Sequence, residues 1–437
     1  MTTETLLGRI ARRIRDFLPK DRFVRSATIL AGGTILAQGM GVIVAPVLTR
    51  LYSPGDFGIL AVYSSILFIS LNFASFRYEF AIPIPEDNQT AVDLLCLCIV
   101  SILITSALFL LGILFFYNEL GRIQQLSLLM QFIWLLPVGF FFAGIYQALN
   151  YWAVRERVYS LIARTRISQG VTGIVTQLVL GVLKFGPLGL LLGQIIGQSA
   201  GVGSLARQFW NKDKNNINFV SVTTLRTVAC RYKDFPLYQS NASLLNTAGL
   251  QMPALLFAGC YGVEVAGWFY LTQQLLAMPI ALVGTSISKV FLGEAARMIR
   301  EPLKLQKLFR KINLKLLLIG IGPCLILAVG GQWIFKFVFG AQWVQSGVYV
   351  QVMAFVFLLK LTTDSVINFA IIERQDLSFS WALMRLVFVV LGIMTAVWCG
   401  LSGFWAVVFF AGTMIISYMI KYVMWGYAIR QLIVKME

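Results

Sequence analysis

Apolar runs of hydrocarbon length, repeated about twelve times and separated by short polar breaks, leave this chain few ways to fold. In the first half they cover residues 27–47, 57–75, 92–116, 128–149, 167–183 and 188–205. In the second half they cover 239–260, 265–288, 312–331, 348–372, 379–399 and 403–425. A helix crosses a bilayer core with about 20 residues, so each run suits one span. Mean hydropathy is +0.78, and only 13% of residues are charged. A soluble domain of this size does not tolerate that balance. The expected fold class is therefore all-α and polytopic.

The first two runs are joined by the stretch 47–58. Ser53 is placed to cap a helix, Pro54 fits its first turn, and Asp56 favours its dipole. The stretch reads as a tight hairpin between two spans, and an ordinary helix–helix turn is an equally good account of it.

Orientation follows from the basic residues. With the N-terminus inside, the inner segments hold about 30 of the 36 Lys and Arg and the outer loops about 4. Both termini are thus expected on the cytoplasmic side. The net charge of +17 is better matched to anionic membrane lipids than to nucleic acid. Residues 6–18 alternate Leu6, Ile10, Ile14 and Phe17 with arginines, as a basic amphipathic helix on a lipid surface does. The basic segment 289–315, with Phe309 among its leucines, reads the same way.

A polar stretch at 211–234 divides the chain near its middle. This gives residues 1–25 as a cytoplasmic basic segment, 26–210 as one six-helix bundle, 211–236 as a linker and 237–437 as a second bundle. A weak echo supports two repeated halves. Tyr52 leads through a turn and an acid to Gly58, and Tyr261 leads through Gly262 and Glu264 to Gly267. Parallel repeats of this kind are a transporter design, with the substrate site between the halves.

Charges inside spans are costly, about 2.5–3.5 kcal/mol each at the centre of an isolated helix, and mark candidate sites. Lys360 and Asp364 lie four apart and share a helix face. One reading has Lys360 attract an anionic substrate while Asp364 tunes it or carries a coupling proton; the other is a self-neutralising packing pair. Arg385 in the next span either joins them or snorkels to the interface. Arg77 and Glu79, at the inner end of the second span, either line a cavity mouth or form a structural ion pair; on a continuing helix they point to different sides. Polar amides scatter through the spans: Gln38, Asn72, Gln177, Gln194, Gln198, Asn241, Asn246, Gln251, Gln273 and Gln274. They suit bonding between helices or a path for a sugar. Gly193, Gly197 and Gly201 form a small-residue ridge for close packing.

The chain has no His, which removes the usual general base and the commonest metal ligand. Cys96 and Cys98 are read as small apolar residues, with no metal site around them. No P-loop is present, and no cofactor is expected.

The motifs Leu48-Thr-Arg-Leu-Tyr-Ser-Pro-Gly-Asp-Phe-Gly58 and Arg77-Tyr-Glu-Phe-Ala-Ile82 carry a resemblance. So do Tyr232-Lys-Asp-Phe-Pro-Leu-Tyr238, Pro253 with Tyr261–Gly267, and Phe339-Gly-Ala-Gln-Trp343. In order and spacing the chain resembles Wzx-type flippases, the polysaccharide branch of the multidrug/oligosaccharidyl-lipid/polysaccharide (MOP) exporter superfamily. The resemblance implies two six-helix bundles around a central, cationic cavity that opens by alternating access. It implies a bacterial inner-membrane protein, not an enzyme, that carries undecaprenyl-diphosphate-linked oligosaccharide across for O-antigen, capsule or exopolysaccharide. Partners would be a polysaccharide polymerase and a chain-length regulator. Matching motif positions carry over Arg50, Arg77 and Glu79, with Glu79 and Asp364 as candidates for ion coupling. Two other readings stay open: a membrane-embedded polymerase or ligase, and a cation-coupled drug exporter. The first span has no carboxylate, which weakens the exporter reading.

Overall fold

The computed structural model describes residues 22–122, 127–284, 301–367 and 374–436, with 287, 288, 291, 294, 295, 298 and 369 between them. The amphipathic segment predicted for 6–18 lies outside the described residues. The first half runs through α1 (Arg22–Leu51), α2 (Pro54–Ser70), α3 (Asn88–Phe115), α4 (Leu135–Arg155), α5 (Tyr159–Val182) and α6 (Pro187–Ser199). Two linker helices follow, α7 (Val202–Ile217) and α8 (Val222–Arg231). The second half runs through α9 (Ser240–Tyr261), α10 (Val263–Pro279), α11 (Pro302–Val338), α12 (Val344–Asp364), α13 (Gln375–Trp398) and α14 (Gly403–Met436). Short helices at Tyr117–Arg122 and Ser127–Met130 precede α4. Among the described residues, eight helices are long and apolar enough to cross a membrane by themselves. The other four crossings, α4, α5, α9 and α10, carry internal amides or arginines such as Gln147, Arg166, Asn246 and Gln273, which need protein or water beside them. The chain is a multi-pass membrane protein with the expected two six-helix bundles.

The hairpin forms as its residues dictate. Ser53 Oγ accepts from the Asp56 N–H at 3.2 Å, and the Asp56 carboxylate accepts from the Ser53 N–H at 2.8 Å. This reciprocal cap satisfies two N–H groups at the start of α2. Other expectations shift. The span predicted at 128–149 begins later, with Pro137 in the first turn of α4. The span predicted at 312–331 is the middle of the 37-residue α11. Its basic N-terminal part buries Leu305 and Phe309 and exposes Lys304, Lys307, Arg310 and Lys311, so much of the amphipathic helix expected for 289–315 is continuous with the span. Phe309 packs on Tyr422 and Trp425 of α14.

Each half repeats one packing pattern. In the first, α1 packs on α5, α5 on α6, α3 on α4 and α4 on α6; in the second, α9 packs on α13, α13 on α14, α11 on α12 and α12 on α14. The predicted polar linker is not a free strand. Its α8 accepts the Tyr78 hydroxyl at the Ala229 carbonyl (3.2 Å), and α7 accepts Gln89 Nε2 at the Asn216 carbonyl (3.1 Å).

The halves meet chiefly where α2 crosses α10. A Cβ built on Gly58 would overlap the carbonyl of Val263, and one built on Gly267 would overlap the carbonyl of Pro54. The two glycines of the sequence echo are therefore partners: each lets the other helix's first turn approach its own backbone. Three indole and amide groups close the same end. Gln342 Nε2 and Trp343 Nε1 donate to the Thr49 carbonyl at 2.7 and 2.9 Å, and Trp268 Nε1 donates to the Gln342 carbonyl at 2.9 Å. We call this the hairpin end, and the opposite one, carrying Arg77 and the linker, the linker end.

Candidate functional site

A cavity of about 350 Å³ lies between α2 of the first half and α9, α10, α12, α13 and α14 of the second. Lys360 of α12 and Arg385 of α13 both line it, with Gln251, Gln273 and Tyr418. Arg385 is buried and donates through NH2 to the Asn246 carbonyl (2.8 Å) and Oδ1 (2.9 Å). Its guanidinium carbon lies 4.7 Å from the centre of the Trp381 ring, a favourable cation–π placement. Gly249 leaves it room, since a Cβ there would stand 3.0 Å from Nε and NH2. Arg385 Nε has no hydrogen-bond partner among the described residues. So Arg385 does not snorkel: it joins Lys360, the first of the two arrangements the sequence allowed.

Asp364 is not the partner of Lys360. Its carboxylate accepts from Lys421 Nζ of α14 at 2.6 Å. Asp364 ends α12, where its side chain reaches the neighbouring helix. Lys360 makes no ion pair among the described residues. Lys421 also lies 4.1 Å from the Trp381 ring centre. Three cationic side chains thus gather around one carboxylate, and the excess charge faces the cavity. Such a surface is electrostatically complementary to an anion. Lys421 is the residue that sequence reasoning missed. It was counted with the inner charges, although it lies inside the span predicted at 403–425, and that position is the signal that marks it.

Arg77 and Glu79 take the second of the two arrangements the sequence allowed, the structural ion pair. The helix that would have turned them to different sides does not continue: α2 has ended, and Phe76 and Arg77 take positive φ of 49° and 64°. The turn folds the two side chains together. Arg77 NH1 donates to Glu79 at 3.3 Å, while NH2 reaches Asn72 and Ser243. Glu79 also accepts from Ser75 and, at 3.0 Å, from Gln147. Both residues are buried and neither lines the cavity. Through Ser243 of α9 the network ties the two halves at the linker end. Removing Arg77 leaves a buried carboxylate without its cation, at a cost of about 3–5 kcal/mol. Arg77→Ala is expected to lower the unfolding temperature in detergent clearly, and Glu79→Gln, which keeps hydrogen bonds, to lower it less. Equal melting of both variants and the wild type would show the network to be idle. Arg50 is exposed at the end of α1 and lines neither this cavity nor the one between α1, α2, α5, α6 and α10.

Among the described residues no cluster of His, Cys, Asp or Glu could hold a metal ion. Twelve membrane helices form two repeated halves, with a cationic cavity between α2 and the second half. Solved structures share this fold. A multidrug resistance MATE-family transporter of the MOP superfamily matches in its inward-facing conformation with TM-score 0.66 and 12% identity, over 92% of this chain and 95% of that one. An outward-facing conformation matches with TM-score 0.57 and 12% identity, over 93% and 96%. The lipid II flippase MurJ, in an inward closed conformation, matches with TM-score 0.65 and 11% identity, over 94% and 90%. No curated protein matches the chain significantly. The chain belongs to the polysaccharide biosynthesis protein family, whose model matches residues 47–348. The matched structures are a drug transporter and a lipid flippase, and at 11–12% identity they show the fold that this chain shares with them.

Proposed function

We propose that this protein carries an undecaprenyl-diphosphate-linked oligosaccharide from the cytoplasmic to the outer leaflet of a bacterial inner membrane, for O-antigen, capsule or exopolysaccharide. The observation that carries this reading is the pair Lys360 and Arg385 in a membrane-embedded cavity whose lining holds no Asp or Glu, in a chain of the polysaccharide biosynthesis family. A diphosphate supplies the missing negative charge at the position where it is costliest to leave out.

In this reading residues 26–210 and 237–437 move as two bodies, and the basic bias sets the linker end and both termini in the cytoplasm. The Gly58–Gly267 crossing and the Gln342 and Trp343 bonds close the outer end. The Arg77–Ser243 contact ties the inner end and breaks when that end opens. Arg50 stands at the outer exit. Asp364 and Glu79 are the acids to test for ion coupling. Residues 1–25 rest on anionic lipids, and the product passes to a polymerase with its chain-length regulator.

The test is transport by the purified full chain in vesicles loaded with lipid-linked repeat units. Units accessible to an external glycosidase should increase with time, without any growth in chain length. Lengthened products would identify a polymerase, and unchanged accessibility would remove the flippase reading.

A further inference from the structure

A separate cavity of about 400 Å³ lies between α1, α2, α5 and α6 of the first half and α10 of the second, within the range of about 300–1,000 Å³ usual for small-molecule sites. Six glutamines line it: Gln38 from α1, Gln169 and Gln177 from α5, Gln194 and Gln198 from α6, and Gln274 from α10. No Asp, Glu, Lys or Arg lines it. Gln169 is a member that the sequence reading did not single out.

The bland use of such amides is bonding between helices, and it accounts for only part of the set. Gln177 Nε2 donates to the Leu190 carbonyl at 3.4 Å, and Gln169 Nε2 to the Gln198 carbonyl at 2.9 Å. Gln38, Gln194 and Gln274 make no hydrogen bond among the described residues, and Gln198 Oε1 is buried without a partner. An unpaired polar group inside a membrane is expensive, so amides aimed at a cavity are placed for what enters it. A carboxamide offers two N–H donors and a carbonyl acceptor without net charge. That is the complement of vicinal hydroxyls. An acyl tail gains nothing from it, and an ion finds no counter-charge.

We propose that this cavity is the glycan subsite, receiving uncharged, hydroxyl-bearing sugars while the cavity of Lys360 and Arg385 receives the phosphates of the same molecule. The inference rests on the flippase reading and adds a division of labour to it. Tyr270, Gln274 and Ala277 of α10 line both cavities, so one elongated ligand can occupy the two together.

Gly41 of α1 gives a clean test. It lines the cavity, and a Cβ built on it meets no atom within 4 Å. The Cβ of Gly41→Phe therefore enters open space, and its ring takes up part of the cavity volume. Binding to the full chain in nanodiscs is measured with two probes: undecaprenyl diphosphate, and lipid-linked repeat units extracted from the strain that makes the protein. Gly41→Phe, and independently the double variant Gln38→Leu/Gln194→Leu, whose two residues line this cavity alone, should weaken binding of the repeat units by about tenfold or more through lost hydrogen bonds. Binding of the sugar-free diphosphate should stay within about twofold of wild type, well under one hydrogen bond's worth. Lys360→Ala should weaken both probes. Equal losses for both probes in the cavity variants, or no loss for either, overturn the glycan subsite. Wild-type protein that binds neither probe overturns the flippase reading itself, and the subsite with it.

Discussion

Gly58→Leu and Gly267→Leu are each expected to abolish surface polysaccharide, with protein still present in the membrane fraction. A Cβ at Gly267 would already overlap the Pro54 carbonyl and lie 2.9 Å from the Gly58 nitrogen. Overpacking a core usually costs about 1–3 kcal/mol because side chains adjust. Here the obstacle is backbone on both sides, so the helices must part. Parting them also strains the donors that hold Thr49, since Trp343 is fully buried against the same crossing. The Ala variants measure the contact more finely. The double variant should be little worse than either single one, because the first already separates the helices and the sites are coupled. Thermal unfolding in detergent together with polysaccharide staining checks this. Wild-type polymer in both Leu variants would show that the crossing is not closed in the working protein.

Lys360→Ala and Arg385→Ala should each reduce transport by about tenfold or more, the loss of a charge-assisted contact worth about 1.5–3 kcal/mol. The two should differ on conservative replacement. Lys360 has no fixed partner, so Lys360→Arg should keep much of the activity. Arg385 is held flat by Asn246 and Trp381, and its planar fork is not reproduced by an ammonium, so Arg385→Lys should stay impaired. Timed accessibility of lipid-linked units in vesicles reads both. Normal rates in both Ala variants would remove the cationic path.

Local chemistry made the hairpin legible. Ser53, Pro54 and Asp56 act within one helical turn, and the cap forms as their order requires. Hydropathy made the spans legible, except where polarity was imported: the first residues of α11 were read as a surface helix because their apolar stripe is narrow. The repeat was visible in Tyr52–Gly58 and Tyr261–Gly267, but not its meaning, because spacing along a chain does not show that two glycines touch. Charges were found by their cost in hydrocarbon, which singled out Lys360, Asp364 and Arg385. Their partners were not found by the same means. Helical periodicity put Asp364 beside Lys360, while the structure gives it to Lys421 on another helix. For Arg77 and Glu79 the sequence left the cavity mouth and the structural ion pair open for a related reason: two consecutive left-handed residues, neither of them glycine, carry no local signal.

The meeting of Gly58 with Gly267 is self-complementary: whatever α2 offers α10 is offered back. Surfaces of that kind belong to pairs of identical subunits related by a twofold axis. The molecule repeats one packing order in its two halves and joins them through that contact, so a residue that crowds one side of it is met by its counterpart on the other.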